Sequence, residues 1–150
     1  MYANEKDHHN ISRLLETWSE DPQSIKDIFI RLRDRLIEKE CVILSFKSRP
    51  GVSHSLRSMI DRAGQDNARL FNLLDIIDDD PGNRWLSICF YSATVTDPEE
   101  MGDLIPEGIL GEDGYCFDLF EYDKDVISYI EQRIDEAYDF VLQAASKPTP

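Results

Sequence analysis

Residues 42–47 read VILSFK, and this stretch decides the fold class because the hydrophobic period changes there. Its side chains alternate with a period of two, as in a β-strand. Upstream, apolar residues recur every three or four positions, which predicts amphipathic helices. These residues are Ile11, Leu14, Leu15 and Trp18 in a first helix and Ile25, Ile28, Phe29, Leu32 and Leu36 in a second. The chain therefore starts with two helices and continues with strands.

Downstream of this stretch, strand-like runs are separated by turn signals. Arg49-Pro50-Gly51 and the segment 78-DDDPGN-83 both favour turns, because proline, glycine and aspartate interrupt strands. We predict further strands at 52–57, 70–77, 84–96 and 115–122, and a polar loop at 61–67. A last helix follows Asp123, with Val126, Ile130, Ile134, Ala137, Tyr138 and Val141 on one stripe.

This order of elements predicts an α+β fold. We expect a two-layer sandwich: a five-stranded, mainly antiparallel sheet with N-terminal helices and a C-terminal helix. Residues 1–145 form a single domain in this prediction, and 146–150 form a disordered tail.

Composition and charge exclude several classes of function. The 150 residues carry a net charge of −14. Residues 61–150 contain 6 basic and 21 acidic residues, a net of −15, while residues 1–60 contribute +1 (10 basic, 9 acidic). Such a surface repels phosphate backbones, so we expect no nucleic-acid partner. We also expect no membrane partner, since no stretch approaches ~20 apolar residues.

The cysteines and the acidic turn give no sign of a metal or cofactor. Cys41, Cys89 and Cys116 lack metal-type spacing, and we interpret them as reduced, buried thiols of a cytoplasmic protein. The run Asp78–Asp80 fails the calcium-loop pattern and is interpreted as a solvated turn. We therefore predict no metal site and no cofactor.

The parity of the later strands gives the main functional hypothesis. In strand 84–96 the aliphatic residues share one face. The opposite face of this strand and of strand 115–122 carries aromatic residues. These are Trp85, Tyr91, Phe120 and Tyr122. An aromatic face needs a cover, which could be the glycine-rich segment 97–114, a helix, a second subunit or a ligand. We expect a binding or regulatory domain that uses this face and the glycine-rich loop to hold a protein partner, a small ligand or a second copy.

The predicted first hairpin supplies an alternative. Lys47, Arg49 and Arg57 flank its turn, with Ser55 on the same face as Arg57, so they could bind a small anion. His54 would be the only proton-transfer group of such an enzyme or sensor. Adjacent Ser53 and His54 point to opposite faces, so they predict no catalytic pair. A third hypothesis is that the acidic surface engages a basic partner.

Overall fold

The computed structural model describes residues 1–61 and 68–146. The helices are α1 (Glu5–Thr17), α2 (Ile25–Ile37) and α3 (Lys124–Ser146). The strands are β1 (Val42–Arg49), β2 (Ser53–Ile60), β3 (Arg69–Ile77), β4 (Trp85–Tyr91), β5 (Asp103–Ile109) and β6 (Glu112–Leu119). Most of the predicted loop 61–67 and of the predicted tail lies outside the described residues.

The predicted α+β fold with helices at both ends is confirmed, but the prediction of five strands is wrong. The sheet has six antiparallel strands in the order β1-β2-β3-β4-β6-β5. The unpredicted strand is β5, which lies in the glycine-rich segment. It returns into β6 through Leu110 (φ 48°) and Gly111 (φ 84°), the two left-handed residues that a two-residue hairpin turn requires.

The hydrophobic core lies on one face of the sheet. Residues of alternate parity in the central strands are fully buried there, and all three helices contribute to the same cluster. The strand members include Leu44, Leu56, Leu74, Ile76, Leu86, Ile88, Phe90, Phe117 and Leu119. The predicted split of strand parity is therefore confirmed for this face.

Ion pairs connect the two helices that pack side by side over this core. Arg31 of α2 pairs with Glu131 of α3 at 2.7 Å, and Lys39 pairs with Asp135 at the same distance. Partly exposed pairs contribute little individually, about 0.5 kcal/mol, so burial of the apolar stripes holds the helices in place.

Hydrogen bonds outside the sheet ladder cover the outer edge of β1. The backbone of Leu44 bonds to Met1 and Ala3, and the Phe46 N–H donates to Asp7 of α1. These contacts satisfy groups that an edge strand would otherwise present to other chains. At the opposite edge β5 has no strand beyond it in the sheet order.

All three cysteines differ from the prediction of reduced, buried thiols. Cys89 and Cys116 are opposite each other on β4 and β6 and form a disulfide, with 4.2 Å between their Cα atoms. The third, Cys41, is exposed and free. Their separation of 27 residues hides the pairing, because only the strand register brings them together.

In the described part of the chain, no helix combines the length and the apolar character that crossing a membrane demands.

Candidate functional site

The sheet face opposite the core is the candidate site, and we call it the open face. Its strand residues have the other parity and are, with few exceptions, half-buried or exposed. Register places them in three rows running from β1 towards β6: Ser45-Arg57-Leu73-Cys89-Cys116, Lys47-Ser55-Asp75-Ser87-Asp118, and Arg49-Ser53-Ile77-Trp85.

One end of the open face is aromatic. Trp85 of β4 stacks on Phe120, with 4.9 Å between the ring centroids. Phe120 lies just beyond β6 and is 59% exposed, while Trp85 and Tyr91 are half-buried. Phe120 continues β6 beside Trp85, whereas Tyr91 lies on the same face at the opposite end of β4, so the structure brings only Trp85 and Phe120 together.

Tyr122, the fourth predicted aromatic residue, points elsewhere. Strand β6 ends at Leu119, so the alternation that would place Tyr122 on the open face stops before it. Its hydroxyl instead accepts a hydrogen bond from Arg31 of α2, at 3.5 Å, and its backbone N–H donates to Gln23. The structure therefore groups Tyr122 with the helices.

The glycine-rich segment 97–114 does not form the loop that the sequence predicted over the aromatic residues. It contains a turn anchored by Asp97 and then the strand β5, which extends the sheet beyond β6. Asp97 accepts hydrogen bonds from the Met101 and Gly102 N–H groups at 3.0 and 2.9 Å and from the Tyr115 hydroxyl at 2.7 Å. The segment therefore continues the edge of the sheet.

Asp97 is also the most strongly perturbed acid near this turn. Burial alone would raise its pKa, but the hydrogen bond from Tyr129 and those from Gly102, Tyr115 and Met101 outweigh burial and lower the pKa to about 2. The hydrogen bond to Asp97 raises the pKa of Tyr115 to about 12. These groups tie the β5–β6 hairpin to α3.

The other end of the open face is basic. Register places Lys47 opposite Ser55 and Arg57 opposite Ser45, as the hairpin prediction requires. Lys47 and Arg49 are exposed, while Arg57 is half-buried and its Nε has no hydrogen-bond partner within residues 1–61 and 68–146. These cations and Ser55 share a face, so they can receive an anionic group together.

Asp75 of β3 borders this basic end. Burial raises its pKa, against the opposing effects of a hydrogen bond from Ser55 and of Arg57 and Arg49 nearby. One carboxylate oxygen, Oδ1, is buried without a hydrogen-bond partner. The middle of the open face therefore holds one acceptor atom, Asp75 Oδ1, and one donor, Arg57 Nε, that have no partner among the residues the structure describes.

His54 lies on the opposite face of the sheet from the three basic residues. It is 6% exposed, and its two ring nitrogens contact Ser48 Oγ at 2.9 Å and Asp78 Oδ2 at 2.7 Å. Asp78 also accepts from Arg84 Nε at 2.7 Å. The predicted combination of His54 with Lys47, Arg49 and Arg57 is therefore not brought together.

Asp78 is a buried acid, which corrects its interpretation as part of a solvated turn. Burial would raise its pKa, but hydrogen bonds from Arg84 and His54 outweigh it and lower the pKa. The next two aspartates, Asp79 and Asp80, are exposed as predicted. Sequence reasoning missed the Ser48–His54–Asp78–Arg84 cluster because its members come from two strands and from the two ends of the β3–β4 turn.

The cluster has the order of groups found in serine hydrolases: hydroxyl, imidazole and carboxylate. Such enzymes also need donors for an oxyanion and room for a substrate beside the hydroxyl. With His54 and Asp78 almost fully buried and Arg84 paired to the carboxylate, the contacts describe a closed ion-pair network at the end of the core. Within residues 1–61 and 68–146, no group of three or more potential ligands is placed to hold a metal ion.

Comparisons with protein-family models, with curated proteins and with solved structures gave no match. The functional argument therefore rests on the geometry of the open face.

Proposed function

We propose that this chain is a binding or regulatory domain that holds a partner on the open face of its sheet. The observation that supports this most strongly is the number of apolar side chains on that face, which remain half-buried or exposed: Ile43, Met59, Leu70, Leu73, Ile77, Trp85, Tyr91, Ile105 and Phe120. These side chains lie on both sides of the polar row Lys47-Ser55-Asp75-Ser87-Asp118, and uncovered apolar surface of this kind marks interaction sites in soluble proteins.

The composition of the face also suits an interface. Aromatic residues are enriched at the centres of interfaces, and the Trp85–Phe120 stack is a rigid pair that a partner can cover without ordering further side chains. Charged residues surround this apolar surface at both sides. The glycine-rich segment enters the proposal as the edge strand β5, which widens the surface.

The cytoplasmic location remains part of the proposal, and the disulfide bears on it. Disulfides are rare in reducing compartments, where Cys89 and Cys116 would be two thiols facing each other across β4 and β6. Both states leave the open face in place, because the strands are paired by their backbones.

Site-specific photo-crosslinking in the native host tests the proposed function. A photoreactive residue replaces Ser87, at the middle of the open face, and in a matched control it replaces Gln132, which is exposed on α3. We expect a discrete crosslinked species from position 87 that is absent from position 132. Equal crosslinking from both positions, or none from position 87, would contradict the proposal.

A small anionic ligand is the second candidate, supported by the unpartnered Arg57 Nε beside Ser55 and Lys47. Here the basic end alone would bind the anion, without His54. Calorimetric titration with inorganic phosphate tests it: Arg57→Ala should abolish any heat of binding, and Lys6→Ala, in the exposed part of α1, should not. Binding that survives Arg57→Ala would exclude this site.

A further inference from the structure

The charges of the open face are divided between its two sides. Lys47, Arg49 and Arg57 lie on β1 and β2, whereas Asp118 lies on β6 and Asp103 on β5. Asp75 lies between them on β3, and Glu112 adds a carboxylate at the margin, near Tyr91. Three positive and four negative charges give this face a net of −1, in a chain whose total is −14. The open face is thus the place where a second, equally acidic chain can approach with little repulsion.

We propose that the occupant of the open face is a second copy of this chain, packed face to face around a two-fold axis that runs parallel to the strands. This inference rests on the proposed function, since it names the partner of the same surface. A two-fold interface must be complementary to itself, because each residue meets its counterpart in reverse.

Charge selects the axis. An axis along the strands, centred between β3 and β4, reverses the strand order, so β1 and β2 of one copy face β5 and β6 of the other. Arg57 then faces β6 of the second copy one register row from Asp118, and Lys47 faces β5 one row from Asp103. These offsets of about 7 Å along the strand are within reach of long basic side chains. An axis across the strands would instead place the basic strands β1 and β2 against β1 and β2 of the second copy, which is repulsive.

The apolar residues match under the same axis. The register rows place Ile77 opposite Trp85 of the second copy, and Leu73 opposite Cys89. Ser53 lies opposite Phe120 of the second copy, which follows β6 in the same row. The interface would therefore have apolar contacts on both sides of the polar Asp75-Ser87 row at β3 and β4, with opposite charges facing each other at its two sides.

The available area is sufficient. Six strands at a spacing of about 4.8 Å and a length of about 20 Å give roughly 600 Å² per copy, or about 1,200 Å² for the pair. Stable interfaces bury about 1,200–2,000 Å². Two twisted sheets can pack face to face in this way, with their strands nearly aligned and about 10 Å between the sheets.

Charge reversal tests this dimer directly. We expect the wild type to sediment as a dimer, and Arg57→Glu and Asp118→Arg each to weaken dimerisation by about 100-fold, because each places two like-charged contacts in the interface. An equimolar mixture of the two variants should recover the dimer, since both of its contacts then join opposite charges. The double variant in one chain should recover it as well.

Recovery cannot come from within one chain. Residues 57 and 118 are separated by three strand spacings, about 14 Å, on the same face. Circular dichroism and melting temperature verify that each variant folds, and the pair Lys47→Glu and Asp103→Arg, both at exposed positions, replaces the first pair if Arg57→Glu unfolds. Glu131→Gln on α3 serves as a charge-changing control that leaves the dimer intact.

Either of two results would contradict the proposal that the chain forms this dimer. One is a wild type that stays monomeric throughout a dilution series, and the other is a dimer that neither reversal weakens. Crosslinking from position 87 distinguishes failure of the dimer proposal from failure of the proposed binding function. If the dimer fails and position 87 captures a different protein, the open face binds another partner; if position 87 captures nothing, both proposals are wrong.

Discussion

At the scale of single residues, two hydrogen-bonded acids make the most definite statements about stability. Asp97 and Asp78 each accept several hydrogen bonds, and in both the pKa falls below its usual value despite burial. A lowered pKa means that the folded state binds the proton less tightly than the unfolded chain does. Each group therefore stabilises the fold above the pKa of the unfolded chain, and this contribution is lost as pH falls through the folded value.

For Asp97 this gives a pH-dependent prediction. The pKa falls from 3.8 to about 2, so Asp97→Asn should lower the free energy of unfolding by about 1–2 kcal/mol at pH 7, after allowing for solvent screening of a half-buried group. This difference in the free energy of unfolding should shrink between about pH 4 and pH 2, where the wild type also loses the negative charge of Asp97. Thermal unfolding of both proteins across this range measures it.

The control for this experiment is Asp139→Asn, an exposed position on α3. Its free energy of unfolding should match that of the wild type over the whole pH range. A deficit for Asp97→Asn that stays constant from pH 7 to pH 2 would mean that the carboxylate charge is not what stabilises the hairpin.

Asp78 and Asp79 form a matched pair for the buried cluster. Asp78 is only 5% exposed, and Asp78→Ala leaves the buried His54 and Arg84 without the carboxylate that accepts their hydrogen bonds. We therefore expect the free energy of unfolding to fall by about 3 kcal/mol. Asp79→Ala changes an exposed residue and should stay within about 0.5 kcal/mol of the wild type. Chemical denaturation provides the two values, and equal losses would show that the cluster does not contribute as the contacts suggest.

At the scale of elements, the β5–β6 hairpin contains a turn whose sequence does not suit its backbone. Leu110 adopts a left-handed conformation and is 63% exposed, although asparagine is favoured at this position before glycine. Leu110→Asn should therefore stabilise the protein by about 0.5–1 kcal/mol and raise the melting temperature by roughly 2 °C.

The comparison for this change is Leu104→Asn. Leu104 is similarly exposed, at 54%, but lies within β5, where asparagine is disfavoured. It should therefore bring no gain in melting temperature. If Leu110→Asn lowers the melting temperature, the turn does not have the conformation described.

The elements that sequence reasoning predicted well are those with strong periodicity. The alternation in VILSFK and in 85-WLSICFY-91 correctly assigned strands and faces, because half-buried strands need apolar residues at every second position. Strand β5 gave no such signal: its residues are exposed except for Ile109, and Pro106 and Gly108 argue against a strand. Its pairing with β6 and the tight turn stabilise it instead.

The candidate site was only partly predictable for a related reason. Placing Trp85 and Tyr91 on one face needs only parity, which sequence reveals. Placing Tyr122 needs the strand end, and pairing His54 with Asp78 needs the register of β2 with β3, which contains an irregularity at Ser58/Met59. Local sequence does not determine contacts between positions 24 residues apart.

At the scale of the whole molecule, charge and apolar surface are unevenly distributed. The chain carries −14 overall, yet its open face is nearly neutral and carries the Trp85–Phe120 stack. The acidic remainder still favours basic partners, the third hypothesis from the sequence, and such binding would weaken steeply with salt. Association through the open face would depend less on salt, because apolar side chains supply part of its contact surface.

The most direct test of the central claim is hydroxyl-radical footprinting of two phenylalanines. Phe120 on the open face and Phe140 on α3 are 59% and 51% exposed, so a free chain should react at both. We predict that at high protein concentration, or in extracts of the native host, Phe120 becomes protected while Phe140 continues to react. Equal reactivity of the two residues under every condition would mean that nothing covers the open face, and would contradict this account.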